Sequence, residues 1–554
     1  MDNILDAAAY FFHQGNNYRA YEYMGTHCTD RGVRVFRIWS PNARSVALVG
    51  DFCGWDIGIQ MQRITSGGIW ECFVEDNSIS IGDKYKYKIE GSDGVFRYKT
   101  DPYAVFAESL PNGASIIYDD GSYVWRDEGY MAYRRSISGR MDKEPINIYR
   151  LSPTRWNGCT GGWSVLATEL APYVKQMGYT HIELDEITEI SLLYATRSCM
   201  GTPRDFMMFV DSMHEAGIGV IIDRRMSGGF EEEYGIRYLD GQPLYENDVD
   251  GKGFAFGRNE VECFLISNVQ YWFERFHIDG IRLCDVEPTL SLETVGFFRK
   301  MNAHIRADFP DALIMCDRIS DRNNVTNLKN GGLGFDFKLC AGQDVNGERY
   351  VISSPIPMND MSRNRAELGY FMTRQGKKLW EMGTEIGAVT DGSLDWSVLG
   401  IDEIARLQLY SAELNGLYLS TPALWENEYN PNEKICGDID KETVYFIRTD
   451  EKGNEIVVLV NFTDAENGRY RIGVPTEGIY KEVFNSDDPR YGGAGYLNHE
   501  SIKSQMRPCG GHENSIVVRV APRSIAVLQR ISKTSAKCKT IAASQTSRTK
   551  IIIK

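Results

Sequence analysis

The chain is short of positive charge. Across 554 residues, 61 Lys and Arg face 76 Asp and Glu, a formal net charge of -15. Nucleic acid and anionic membrane surfaces are therefore excluded as partners, because both select clustered basic residues. No apolar run approaches the roughly 20 residues that cross a bilayer. The first dozen residues carry Asp2 and Asp6 and no basic cluster, so no secretory leader is expected. The 12 cysteines are scattered, without a CxxC pair or a zinc-like Cys/His spacing. No metal and no cofactor are expected, and the thiols are predicted to be reduced in the cytoplasm.

What is present suits a packed globular protein of about three domains. Hydrophobic residues make up 42% and aromatics 12%, including 30 Tyr and 10 Trp. Residues 1–120 alternate in the β manner (Val33, Val35 and Arg37 against Phe36 and Ile38), with turn clusters at Pro41-Asn42, Gly67-Gly68 and 91–94. They predict an N-terminal β-sandwich. Residues 121–144 read as a linker. Residues 440–531 alternate again, through 455–460, 516–520 and 525–528, and predict a C-terminal antiparallel β domain. Residues 532–554 are rich in Ser, Thr and Ala, and their only charges are basic, which reads as a disordered tail.

Between these lie residues 145–430, where strands alternate with helices. Ile146–Tyr149 reads as a strand, and a helix follows with Ser164 as its N-cap and Gly178 past its end. Thr202-Pro203-Arg204-Asp205 is a capping box with proline at the first helical position. Strand Ile218–Asp223 is apolar until its last residue, so it is buried on both faces. Helix Val261–Phe276, strand Gly280–Leu283, helix Leu292–Phe309 and strand Ala312–Met315 continue the repetition. Successive units of this kind favour a (β/α)8 TIM barrel over a doubly wound sheet.

Several segments carry a resemblance. They include IWSPNARSVALVGDFCGWD (38–56), GTPRDFMMFVDSMHEAGIGVIID (201–223), HIDGIRLCDVEP (277–288), GGLGFDFK (331–338) and YGGAGYLN (491–498). In this order they resemble the α-glucan branching enzymes of glycoside hydrolase family 13, and 38–56 is similar to their family 48 carbohydrate-binding module. The resemblance implies a retaining glycosyl transfer. One carboxylate attacks the anomeric carbon while a second, about 5 Å away, protonates the leaving oxygen.

Position by position, the resemblance fails where chemistry is required. The family's nucleophile position on barrel strand 4 is held by Cys284, two residues after a retained Arg282. Asp317 stands at the position of the general-acid glutamate, one methylene short, and a retraction of about 1 Å costs ~100-fold. Asn359 replaces the aspartate that stabilises the transition state, after Met358 in place of histidine. Asp223 is kept on strand 3, but Gly228 occupies the place of a sugar-binding histidine. The strand 2 connection through 190–196 is short, the insert after Pro288 is gone, and 339–352 is compressed, so the barrel is expected to be trimmed.

The neighbouring Asp285 and Asp360 are reserve carboxylates. A one-residue slip in a strand turns a side chain to the opposite face, so either needs a local bulge to act. Trp55 is a packing residue of the sandwich or a sugar-stacking platform, and packing is the weightier reading. These substitutions predict a catalytically inactive or severely impaired homologue that binds α-glucan (glycogen or starch-like), or that regulates or scaffolds a protein partner or an active paralogue. The alternative is an active 1,4-α-glucan branching enzyme that uses displaced carboxylates.

Overall fold

The computed structural model describes residues 2–531 apart from 30–31, 76–77, 110–111, 120–122, 158–159, 186, 189–191, 227–232, 248–252, 287–290, 318–324, 341–347, 359, 389–392, 430–435 and 439–441. The tail expected at 532–554, Asn359 and Gly228 lie outside the described residues.

The N-terminal sandwich forms from two antiparallel sheets. In one, Val33–Trp39 pairs with Gly25–Cys28 and with Ile69–Glu75. In the other, Ser45–Gly50 pairs with Lys84–Glu90, which in turn pairs with Phe96–Lys99. Tyr85, Tyr87 and Ile89 alternate into the core, while Lys84, Lys86 and Lys88 take the opposite face.

Eight parallel strands follow in chain order round a closed barrel. They are β1 (Asn147–Leu151), β2 (His181–Leu184), β3 (Gly219–Arg225), β4 (Gly280–Cys284), β5 (Leu313–Cys316), β6 (Phe337–Cys340), β7 (Tyr350–Ser353) and β8 (Lys377–Glu381). The helices after β1, β2, β3, β4, β7 and β8 are α1 (Gly162–Met177), α2 (Pro203–Glu215), α3 (Asn259–Phe276), α4 (Leu292–Asp308), α5 (Met361–Thr373) and α6 (Asp402–Ser420). Among the described residues no α-helix follows β5 or β6. The β6–β7 connection is only 341–349, shorter than an ordinary parallel crossover. All eight strands are thus retained, and the trimming falls on connections.

Local chemistry explains the boundaries. Thr202 and Asp205 exchange the two reciprocal bonds of a capping box at the start of α2, with Pro203 in the first turn. Ser164 does not cap α1. That helix starts at Gly162, in a left-handed turn with Gly161 that no branched residue would adopt cheaply. Gly280 is needed in β4 because a Cβ there would stand 2.7 Å from the Leu313 carbonyl. The segment expected as a linker contains helix Glu128–Ser136, with Arg134 buried.

By contacts the chain forms two compact units. One comprises residues 1–139, 152–168 and 183–339, and the other 140–151, 169–182 and 340–554. The second unit holds the C-terminal domain, a six-stranded antiparallel sheet and a two-stranded one. Val457, Leu459 and Leu528 from the larger sheet pack with Ile472, Ile516 and Val518 from the smaller.

The first unit contains a buried charge network below β4. His214 bonds Asp127 at 3.0 Å through Nδ1 and Asp279 at 2.9 Å through Nε2. Arg134 links Asp279 (3.1 Å) to Asp311 (2.8 Å). Burial works against a charge on His214, but Asp279 and Asp127 outweigh it and raise the imidazole to about 9. A raised histidine stabilises fully below its unfolded value near 6.5, and that stability drains as pH rises through about 9. Stability to urea should therefore fall between about pH 6.5 and pH 9. His214→Gln should flatten that slope and lose on the order of 3 kcal/mol at about pH 6. A parent protein equally stable at both ends of that range would contradict the network's role.

Candidate functional site

The site grows from the pleat of β4. Arg282 and Cys284 are two apart and share a face, and Arg282 lies in register with Asp223 on β3 and Met315 on β5. Cys316 pairs with Leu283 and so takes the opposite face. The guanidinium of Arg282, only 3% exposed, gathers three carboxylates. Nε meets Glu183 of β2 at 2.7 Å, Nη2 meets Asp223 at 3.5 Å, and Nη1 pairs with Asp317 just past β5. Burial alone would weaken the guanidinium's hold on its proton, yet these acids raise it well above the usual arginine value.

Four of the residues expected from sequence, Asp223, Arg282, Cys284 and Asp317, are therefore brought together. Glu183 is the member that sequence reading missed. Its signal was an acid set between Ile182 and Leu184 in a strand with both neighbours buried. An unpartnered carboxylate there would be costly, so its partner had to be found inside the barrel.

Cys284 sits in this cluster as a neutral thiol. It is buried, and burial pushes the thiol far above its ordinary value. Arg282 pulls it back only in part, because Asp223, Asp317 and Glu183 push the same way as burial. A thiolate is the reactive form of cysteine, so this position supplies no nucleophile near neutral pH.

Asp285 follows with an exposed side chain and a left-handed backbone, φ 55°. The pleat of β4 has ended by this residue, so strand alternation no longer dictates where its carboxylate points. Its amide lies 3.4 Å from Oδ2 of Asp317, whose own amide donates to the Leu283 carbonyl at 3.0 Å. Two acidic residues thus adjoin at the mouth-side ends of β4 and β5. Among the described residues no cluster of three or more His, Cys, Asp or Glu is placed to hold a metal ion.

Other expectations are corrected. Asp360 is not held in reserve. It caps α5, accepting from the amides of Ser362 (3.0 Å) and Arg363 (3.1 Å), and it pairs with Arg523. Trp55 does not pack the sandwich core. It is 36% exposed with φ 64°, and its indole N–H donates to Asp51 at 2.8 Å. Arg224 follows Asp223 and faces away from the Arg282 cluster. It stacks 4.4 Å over Trp272 and donates to the Thr188 hydroxyl at 2.6 Å, and burial lowers it to about 9.

The cluster makes a clear demand on stability. Arg282→Ala would strand Glu183 inside the barrel without a counter-charge, and breaking such a pair from one side costs about 3–5 kcal/mol. Equilibrium denaturation should show that loss. In the folded protein the exposed Cys28 and Cys199 should react with a thiol reagent while Cys284 reacts only on unfolding. Rapid native labelling of Cys284 would refute the buried, neutral assignment.

Comparisons with known proteins agree with this architecture. Residues 23–104 match carbohydrate-binding module 48 (isoamylase N-terminal domain), and residues 435–531 match the alpha amylase C-terminal all-beta domain. A solved structure of a provisional alpha amylase from Salmonella typhimurium shares the fold, with a TM-score of 0.67 and 16% identity over 92% of this chain and 99% of that one. The 1,4-alpha-glucan branching enzyme of Halothermothrix orenii is 33% identical over 93% of this chain and 97% of its own length. That of Oceanobacillus iheyensis is 32% identical over 96% and 98%. The first alignment runs to 619 positions, more than the 554 residues of this chain, so the relative carries segments that are trimmed here. With such kinship over almost its whole length, the chain belongs to the 1,4-alpha-glucan branching enzyme family.

Proposed function

We propose that the protein acts on α-1,4-glucan as a branching enzyme whose working carboxylates are Asp285 and Asp317. The observation that carries this reading is the left-handed backbone of Asp285, which frees an exposed carboxylate from the strand's alternation beside Asp317. Near-full-length kinship with branching enzymes supports the substrate class, and the match to a carbohydrate-binding module supports glucan binding.

In this scheme Asp285 attacks the anomeric carbon and forms a glycosyl ester as the glycosidic C–O bond breaks. Asp317 protonates the departing oxygen, then takes the proton of an incoming 6-hydroxyl, whose oxygen displaces Asp285 and closes the α-1,6 linkage. Asp317 must leave Arg282 to carry that proton, so turnover is slow. A reducing cytoplasm suits the ten free cysteines among the described residues.

A second reading is favoured by the Arg282–Asp317 contact itself. In that reading Asp317 stays paired with Arg282 and Cys284 is no nucleophile, and the protein binds glucan without turnover, as a regulator or scaffold for a protein partner or an active paralogue.

One assay separates the two. Purified protein is incubated with amylose, and new α-1,6 linkages are counted after debranching. Slow branching is expected, unaffected by Cys284→Ser and abolished by Asp285→Asn or Asp317→Asn. No linkage formed at high protein concentration would sink the transfer reading and leave glucan binding as the function.

A further inference from the structure

We propose that a cavity on the N-terminal module, distinct from the Arg282 cluster, binds a small phosphate ester such as a nucleotide or a sugar phosphate. The cavity holds about 780 Å³ and opens between the strands Lys84–Glu90 and Phe96–Lys99 and residues 233–238, all within the first compact unit. That is within the size range of small-molecule sites, roughly 300–1,000 Å³.

Its chemistry is unlike the rest of this acidic chain. Lys86, Arg97, Lys99 and Arg237 line it, against one carboxylate, Glu233. Arg97 is committed to Asp93 at 2.6 Å. Lys86 donates to the Asn112 carbonyl (2.6 Å), and Lys99 to the carbonyls of Glu233 and Arg237, so both ammonium groups keep their charge. Among the described residues no ion pair engages Lys86, Lys99 or Arg237. Burial lowers Lys99 to about 8 and pulls Lys86 below its usual value, so an incoming anion would offset the penalty that burial places on both charges.

Aromatic plates stand beside these cations. Phe96 and Tyr98 are 54% and 45% exposed on one face of their strand, and Tyr234 lies 5.7 Å beneath Lys86. Tyr238 is held at φ 43°, a left-handed conformation that costs a tyrosine energy, with its amide bonded to Glu246 at 2.7 Å. The cavity sets four cationic side chains against one carboxylate, with ring faces beside them. A neutral oligosaccharide needs donors and acceptors alike along its hydroxyls. A phosphate ester places its anion on the cations and its ring on an aromatic face.

Calorimetry on the full chain tests this with inorganic phosphate, ADP, glucose 1-phosphate and maltohexaose. Sub-millimolar binding of ADP or glucose 1-phosphate is expected, with inorganic phosphate competing. Arg237→Ala, at an exposed position, should weaken it about tenfold or more without altering Tm, and Lys86→Ala should weaken it as much. ADP alone identifies a nucleotide site, and glucose 1-phosphate alone a sugar phosphate site. The proposal is overturned if no phosphate compound binds at millimolar concentration, if binding survives both variants, or if maltohexaose is the only ligand that Arg237→Ala releases.

Discussion

A single guanidinium organises the interior of this barrel. Arg282 would be very costly to bury alone, and it is tolerable only because Glu183, Asp223 and Asp317 meet it from β2, β3 and the end of β5. One cation among three acids leaves local negative charge in excess. That excess acts on Cys284 in the same direction as burial, so the thiol remains protonated. A neutral thiol at 284 adds no further charge beside Arg282. Arg282 stays shared among Glu183, Asp223 and Asp317, and its contact with Asp317 holds that side chain at the end of β5.

β4 joins two kinds of buried electrostatics. Asp279, just before its first residue, belongs to the His214–Arg134 network, while Arg282 and Cys284 lie toward its other end. The first network ties α2, the 128–136 helix and the turn before β5 to the base of the strand. Hydrogen-bond and charge requirements are met there together, which rigidifies that end of the strand. At the other end Arg282 is met by Glu183 from β2, Asp223 from β3 and Asp317 after β5.

Much of this was legible from the chain. Periodicity placed the strands and helices of the barrel, because apolar runs bounded by glycine and by caps such as Thr202–Asp205 encode them locally. Resemblance located Cys284, Asp317, Asp223 and Arg282, and the register brings these four together. Strand ends were not legible. The turn of Asp285 into left-handed space depends on hydrogen bonds between β4, β5 and their extensions, which no single segment contains. Asp360 caps α5 through amides two and three residues away, while Arg523, which pairs with it, lies 163 residues distant in sequence. Trp55, weighed as sandwich packing against sugar stacking, lies in a left-handed turn and is 36% exposed.

The connection after β3 shows how a barrel can redirect its loops. In barrels of this kind the segments following the strands build the active site. Here β3 ends at Arg225, having delivered Asp223 to Arg282, and residues 233–238 then line a basic, aromatic cavity with the N-terminal module. Lys99 fastens that segment by donating to the carbonyls of Glu233 and Arg237, and Asn42 holds Asp240 through a backbone amide at 2.9 Å. The module and the connection itself together hold the segment, since Glu246 also accepts from the Tyr238 amide at 2.7 Å. Residues 233–238 follow β3 in the chain, and β3 is the strand whose aspartate shares Arg282 with Asp317.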